Sequence, residues 1–259
     1  MYLPIDLSTY HAEPDLLKNR VILVTGAGDG IGRAAALAFA KHGATVLLLG
    51  RTLSKLEAVY DEIEKQGGAQ PALLPLNLAT AKLDDYLSIQ RTIDEEIGRL
   101  DGILHNAAIL GPLTPLQMYD PTIWDDVMNT NLRAPFQLTQ ALLPTLRKSD
   151  DASVIFTSSS VGRTVKAFWG AYAISKQGIE GLSHLFADEL ANTSNIRFNC
   201  LNPGATRTQM RATAYPSENP NTLPKPEDIM ASYLYLIGPD SKGVTGQSLD
   251  VPRAEWSKD

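Results

Sequence analysis

Short apolar runs rich in Val, Leu and Ile alternate with longer amphipathic stretches along nearly the whole chain, and that alternation leaves few folds open. RVILVTG (20–26), ATVLLLG (44–50), PALLPL (71–76), LDGILHNA (100–107), ASVIFTS (152–158) and IRFNCLN (196–202) each read as a strand buried on both faces. A weaker seventh, QSLDV, lies at 247–251. Between them run helical patterns at 31–42, 53–66, 82–98, 121–148, 171–193 and 226–238. Strands buried on both faces and separated by helices form a parallel sheet covered on both sides, joined by right-handed crossovers. No repeat, low-complexity tract or composition break marks a boundary, so one domain over 18–259 is expected, preceded by an N-terminal extension, 1–17.

Composition narrows the function classes. The net charge is −6 and no basic cluster stands out, which argues against a nucleic-acid surface. The single cysteine, Cys200, allows neither an intrachain disulfide nor a thiolate metal cage, and its place in IRFNCLN suits inert packing. Four histidines, at 11, 42, 105 and 184, are too scattered to suggest a metal site. The stretch MYLPIDLSTYHAEPDLLKNR has acidic residues where a signal peptide has basic ones, and no apolar run approaches the roughly 20 residues that span a bilayer. A cytoplasmic location without membrane partners is expected.

A glycine loop joins the first strand to the first helix in LVTGAGDGIGRAAALAFA. Gly26, Gly28, Gly30 and Gly32 alternate there, with Asp29 and Ile31 between them. Glycines let a backbone turn tightly and approach a pyrophosphate, and the helix N-terminus offers free N–H groups and partial positive charge. In this position the loop points to dinucleotide binding. The expected fold class is therefore α/β, a single-domain Rossmann-type doubly wound fold with a seven-stranded parallel sheet in the order 3-2-1-4-5-6-7 and helices on both faces. The second strand ends in LLLGRTLSK, where an NAD site carries an acidic residue for the ribose hydroxyls. Here Gly50 is neutral and Arg51 follows, with Lys55 as a second cation, which suits a 2′-phosphate. NADP(H) is the expected cofactor ahead of NAD(H), although Asp29 adds negative charge nearby.

Farther on, GAYAISK sets Tyr172 and Lys176 four residues apart, on one face of a helix. A free phenol has a pKa of about 10, and a neighbouring cation lowers it, so the pair suits proton transfer to or from an oxygen. Two stacked side chains on a surface helix would give the same spacing. In MNTNLRAPFQL, Pro135 has no N–H, so the carbonyl of Asn131 loses its helical partner and a kink is expected there.

In order, TGAGDGIG, HNAA, NL, SSS, YAISK and NPGATRT resemble the motif set of the short-chain dehydrogenase/reductase family, over roughly residues 18 to 250. IFTSSSVGR, WGAYA and LNPGATRTQMRA further resemble its YciK-type bacterial subgroup. The resemblance implies that Tyr172 is the general acid or base, with Lys176 as its partner. Ser159, thirteen residues before Tyr172 and three before Gly162, is the serine in register with the catalytic one, rather than Ser158 or Ser160. It also implies that Asn131 helps hold a proton-relay water at the kink. Asn106 would steady the sheet near the cofactor, and Asn77, beside Leu78, would meet the adenine. Pro203 and Gly204 would turn the chain so that Thr208 bonds the nicotinamide carboxamide. His105 is expected to be a packed strand-end residue.

Two features depart from the family pattern. The segment from Thr208 to Pro226 is short and rich in proline, so little regular structure is expected where relatives have a helical lid. LDVPRAEWSKD lacks the glycine pair that many relatives have after the last strand, which argues against their C-terminal subunit contacts. The helices carrying Asn131 and Tyr172 remain available for pairing, and a homo-oligomer, dimer or tetramer, is expected. The leading reading is an NADP(H)-dependent oxidoreductase acting on a small-molecule carbonyl or secondary alcohol. A non-catalytic NADP(H)-binding sensor is the rival from another class, and an epimerase or lyase would share the Tyr–Lys pair.

Overall fold

The computed structural model describes residues 7–252. Seven strands form one parallel sheet in the order β3-β2-β1-β4-β5-β6-β7. They are β1 (Val21–Thr25), β2 (Thr45–Gly50), β3 (Ala72–Pro75), β4 (Gly102–His105), β5 (Ser153–Thr157), β6 (Arg197–Asn202) and β7 (Gln247–Asp250). Eight helices accompany them: α1 (Gly30–Lys41), α2 (Leu53–Lys65), α3 (Leu83–Glu96), α4 (Pro121–Met128), α5 (Ala134–Leu146), α6 (Gly170–Leu190), α7 (Gln209–Ala214) and α8 (Met230–Ile237). The sheet order is the one expected for a Rossmann-type doubly wound fold.

Side-chain alternation along each strand feeds two cores. Ile22 and Val24 of β1 pack with Phe39 of α1, Val59 of α2 and Tyr233 of α8. Leu23 faces the other way, with Tyr86 of α3, Leu142 of α5 and Phe186 of α6. All five residues of β1 are buried, as a central parallel strand requires. Each fully buried Leu or Ile contributes about 1.5–3 kcal/mol, so the central strands dominate stability. The N-terminal stretch joins the first core: Leu7 and Leu17 are buried, and Tyr10 meets Tyr235 edge-on with ring centroids 5.1 Å apart.

Two helical expectations change. The pattern at 121–148 is three pieces, because one π-helical turn, Asn129–Arg133, separates α4 from α5. The Ala134 N–H there reaches back five residues to the Asn129 carbonyl, just before Pro135. Second, the segment after Thr208 is not irregular throughout. Its prolines begin at Pro216, so Gln209–Ala214 is free to coil, and Thr208 Oγ1 caps α7 by accepting the Arg211 N–H at 3.2 Å. The C-terminal residues 253–259, within the stretch that argued against tetramer contacts, lie outside the described residues.

Strand order reverses between β1 and β4, so the loops leaving their carboxyl ends diverge and open a cleft.

Candidate active site

The cleft has a volume of about 700 Å³ and runs from the α1 loop to the start of α6. At one end lies the glycine loop. Gly30 has φ +52°, a left-handed conformation that glycine adopts without strain, and it opens α1 with its N–H bonded to Asp29 Oδ1 at 2.8 Å. Gly32 does not face the cleft. A Cβ there would stand 2.2 Å from the Gly26 carbonyl oxygen, so its bare Cα is what lets α1 lie close against the end of β1. Together the loop and helix terminus form a cradle of backbone N–H groups, an arrangement that attracts anions in general. Gly26, Gly28, Asp29, Gly30 and Ile31 all line it.

Arg51 is exposed at the same end of the cleft, next to Thr52 and Lys55. Lys55 is not the free second cation the sequence suggested, because its ammonium pairs with Asp29 Oδ2 at 2.5 Å. That bond, aided by the Gly30 N–H, holds the Asp29 carboxyl below the usual carboxylate range. The negative charge of Asp29 is thereby offset, and Arg51 keeps its charge for the cleft. Asn77 and Leu78 line the neighbouring wall. The Asn77 side-chain oxygen accepts the Ala79 N–H at 3.2 Å in a local turn. Asn106 also lines the cleft, and its backbone N–H and that of Ala107 both bond Thr25 Oγ1, at 3.0 and 3.1 Å.

At the other end, β5 delivers Ser159 and α6 delivers Tyr172 and Lys176. All three line the cleft. The Ser159 side chain lies beside the Tyr172 phenol and acts to lower its pKa. Ser158 turns away to Glu180, and Ser160 begins a short 3₁₀ turn on the exposed side. The Lys176 ammonium, 3% exposed, donates to the Thr157 carbonyl at 2.6 Å and lies 5.7 Å from the Tyr172 ring centroid. In the protein alone, burial pushes the Tyr172 phenol up to about 12; the Ser159 hydroxyl beside it opposes that rise without overcoming it. Burial likewise pulls the Lys176 ammonium down to about 8.

Asn131 sits in the π turn, fully enclosed and outside the cleft lining. Its side chain exchanges hydrogen bonds with the Ile109 backbone, both at 2.9 Å, and donates to Ser175 Oγ at 3.1 Å. It therefore ties the loop after β4 to α6. Pro203, Gly204 and Thr208 line the cleft after β6, with the Gly204 N–H held by Asn202 Oδ1 at 3.1 Å. His105 is packed as expected: it stacks on Phe156, bonds Thr139 Oγ1 at 2.8 Å, and burial drives its pKa down to about 3. Cys200 is buried, and burial pushes its thiol up, away from the thiolate form. Among the described residues, no cluster of three His, Cys, Asp or Glu side chains is arranged to hold a metal, and no helix is long and apolar enough to cross a membrane.

Sequence reading missed the wall beside the phenol. Leu110, Trp169, Met210 and Ala214 pack around Tyr172, with the Trp169 ring centroid 5.8 Å from it. Arg211, which also lines that wall, is engaged twice by Glu218, at 2.6 and 2.7 Å, and stacks 3.7 Å over Tyr215. The paired WGAYA and QMRATA strings carried the signal, a tryptophan and a methionine flanking the Tyr–Lys helix and the proline-free lid.

A switch-point cleft with a phosphate cradle at one end and a buried Tyr–Ser–Lys group at the other defines a nucleotide-binding doubly wound enzyme. Residues 20–219 match the family model described as short chain dehydrogenase. The chain belongs to that family of oxidoreductases. It is 50% identical over 242 residues to the oxidoreductase YciK of Escherichia coli (strain K12), covering 93% of this chain and 95% of that one. A short chain dehydrogenase from Pseudomonas syringae superposes with a TM-score of 0.92 at 55% identity, covering 94% of this chain and 98% of the other. One from Shigella flexneri, complexed with NADP, superposes with a TM-score of 0.90 at 50% identity, covering 92% and 99%.

Proposed function

We propose that this protein is an NADP(H)-dependent oxidoreductase that interconverts a carbonyl compound and its secondary alcohol, with Tyr172 as the general acid/base. The observation that carries the reading is one continuous cleft with the glycine cradle and Arg51 at one end and Tyr172, Ser159 and Lys176 at the other. The 2′-phosphate would rest against Arg51, the pyrophosphate on the cradle, the adenine beside Asn77 and Leu78, and the carboxamide at Thr208. The NADP complex of the Shigella flexneri relative supports that cofactor. Bound NADP(H) supplies or accepts a hydride at the nicotinamide and, when oxidised, brings positive charge to the phenol.

The chain's own groups handle the oxygen. In reduction the Tyr172 hydroxyl gives its proton to the oxygen that gains negative charge, and Ser159 holds the same oxygen by a hydrogen bond. The Lys176 ammonium stabilises the phenolate left behind. Asn131 fixes the loop after β4, and the irregular backbone of its π turn offers a carbonyl for a relay water. In oxidation the same steps run backwards. The apolar wall of Leu110, Trp169 and Met210, with Arg211 already neutralised by Glu218, favours a neutral substrate with an apolar body.

A sensor that only bound NADP(H) would have no use for a buried ammonium next to a phenol, whose desolvation costs stability. On this reading the protein works in the cytoplasm, where its reduced cofactor is regenerated, and it works as a homo-oligomer, dimer or tetramer. Phe136 and Leu185 project, 39% and 58% exposed, beside a recess at Gly178 and Gly181 on the α5–α6 face. Projections beside a recess on one face suit pairing across a twofold axis. Light scattering of the purified protein tests the assembly.

Fluorescence titration with NADPH and NADH, followed by a screen of neutral ketones for NADPH oxidation, tests the function. Tight NADPH binding and carbonyl-dependent oxidation are expected. Binding of neither nucleotide overturns the reading.

A further inference from the structure

One turn beyond Lys176 on α6, Glu180 is enclosed, with its side chain 12% exposed, yet it touches neither cleft nor solvent in the manner of a surface acid. Both carboxylate oxygens are used. Oε1 accepts from Ser158 Oγ and from Arg163 Nε, the latter at 3.3 Å, and Oε2 accepts from Ser248 Oγ. Arg163 extends the group to β7, bonding Ser248 Oγ at 3.0 Å, Asp250 Oδ2 at 2.8 Å and the Leu249 carbonyl at 3.0 Å. One acid thus fastens the loop after β5, helix α6 and strand β7 together behind the phenol.

Two connections make that clamp relevant to proton transfer. Ser158 precedes Ser159, and Thr157, on its other side, receives the Lys176 ammonium through its carbonyl. Whatever fixes Ser158 fixes the two residues beside the acid–base pair, Thr157 and Ser159. Charge is the second connection. The groups facing Lys176 are Tyr172 and Glu180 on its own helix, the Thr157 carbonyl from β5 and the Cys200 thiol from β6. Because burial keeps Cys200 in its thiol form, Glu180, four residues on along α6 and so on the same helix face as Lys176, supplies the anionic partner among them, shared with the Arg163 guanidinium at 3.3 Å. Glu180 itself faces Arg163, Ser158, Ser248 and Cys200. A buried ammonium without an opposing charge loses its proton readily.

We propose that Glu180 is a positioning residue for the proton transfer: its carboxylate clamps Ser158, and so sets Ser159 against Tyr172, and it is the countercharge that keeps the buried Lys176 ammonium protonated. The proposal rests on the oxidoreductase reading for its catalytic consequence, while the charge coupling stands without it. Glu180→Gln keeps the shape and removes the charge. Ser158→Ala cuts the clamp and leaves the charge.

NMR titration of protein labelled at the lysine side chains, with Lys176 assigned by its absence in Lys176→Arg, reads the coupling without any turnover. In Glu180→Gln the Lys176 signal should titrate roughly one pH unit lower than in the unaltered protein. In Ser158→Ala it should stay in place. With a neutral ketone and NADPH, both variants should lose about tenfold or more in kcat, with KM and NADPH affinity within about twofold. Only Glu180→Gln should move the alkaline limb of the kcat profile to lower pH. A Lys176 titration unchanged in Glu180→Gln overturns the countercharge role, and an undiminished kcat in Ser158→Ala overturns the clamp. If the unaltered protein binds NADPH but reduces no ketone, the functional reading falls, and the NMR arm still decides the coupling.

Discussion

The Lys176 ammonium lies 5.7 Å from the centroid of the Tyr172 ring, held there by a 2.6 Å hydrogen bond to the Thr157 carbonyl. It is close enough to stabilise a phenolate, yet in the protein alone burial wins and the phenol stays near 12. The neutral phenol is therefore the resting form, ready to donate. Tyr172→Phe removes the proton and little else. Turnover should fall by about a hundredfold or more, the usual loss with a general acid, while NADPH affinity holds within about twofold. Stopped-flow reduction of a ketone beside a fluorescence titration measures both. Unaltered turnover would remove Tyr172 from the chemistry.

The same burial writes itself into stability. Lys176 titrates near 10.5 when unfolded and near 8 when folded, so between those values the unfolded chain holds a proton that the folded one has released. Stability then rises with pH across that window, because the unfolded state binds more protons. Below about 8 the full cost of the buried charge is present, on the order of 3 kcal/mol. Lys176→Met should be more stable than the unaltered protein in urea at pH 7, and the gap should narrow as pH rises through 8 to 10. Equal stability at pH 7 would mean that the Thr157 bond and Glu180 already compensate the burial.

Among the described residues lining that end of the cleft, Arg51 is the cation without a salt-bridge partner once Lys55 is taken by Asp29. A charge-assisted bond to a phosphate is worth about 1.5–3 kcal/mol. Arg51→Ala should therefore weaken NADPH about tenfold or more and leave NADH nearly unchanged, in paired titrations. An equal loss for both would remove Arg51 from the 2′-phosphate.

Much of this geometry could be read along the chain. Buried parallel strands announce themselves as continuous Val, Leu and Ile runs, and the glycine loop sits where backbone must approach a ligand, so β1 and its turn were plain. Ser159 followed from register with Tyr172. What stayed hidden depends on groups brought together by folding. Ser158 and Ser248 lie 22 and 68 residues from Glu180, and no local pattern joins them. The height of the Tyr172 pKa in the protein alone was hidden too, because a neighbouring cation is visible in sequence and burial is not. Helix α7 was hidden as well, because the prolines at 216–226 mask the six proline-free residues before them. Pro135 marked the break in the long helix, but the bonding across it, Ala134 to Asn129, was settled by packing.

Far from the cleft, Arg197 at the start of β6 joins three elements at the opposite end of the strands. Its side chain is 4% exposed and pairs with Asp151 at 3.1 Å. It also donates to the carbonyls of Leu236 and Gly238 at the end of α8, at 3.1 and 3.0 Å, and to Ser241. These are carbonyls that a helix end leaves without partners, so Arg197 serves as a C-terminal cap from another element. Removing one member of a buried charged pair strands the other, at a cost of about 3–5 kcal/mol. Here Asp151 retains Arg20, at 3.1 Å, which should soften the loss to the lower end of that range. Arg197→Ala should accordingly lower unfolding free energy by about 3 kcal/mol in urea melts. NADPH affinity should be unchanged under conditions where the variant is folded, since the cleft lies at the other end of the strands. A variant as stable as the unaltered protein would show that Arg20 and water satisfy Asp151 and the α8 carbonyls without it.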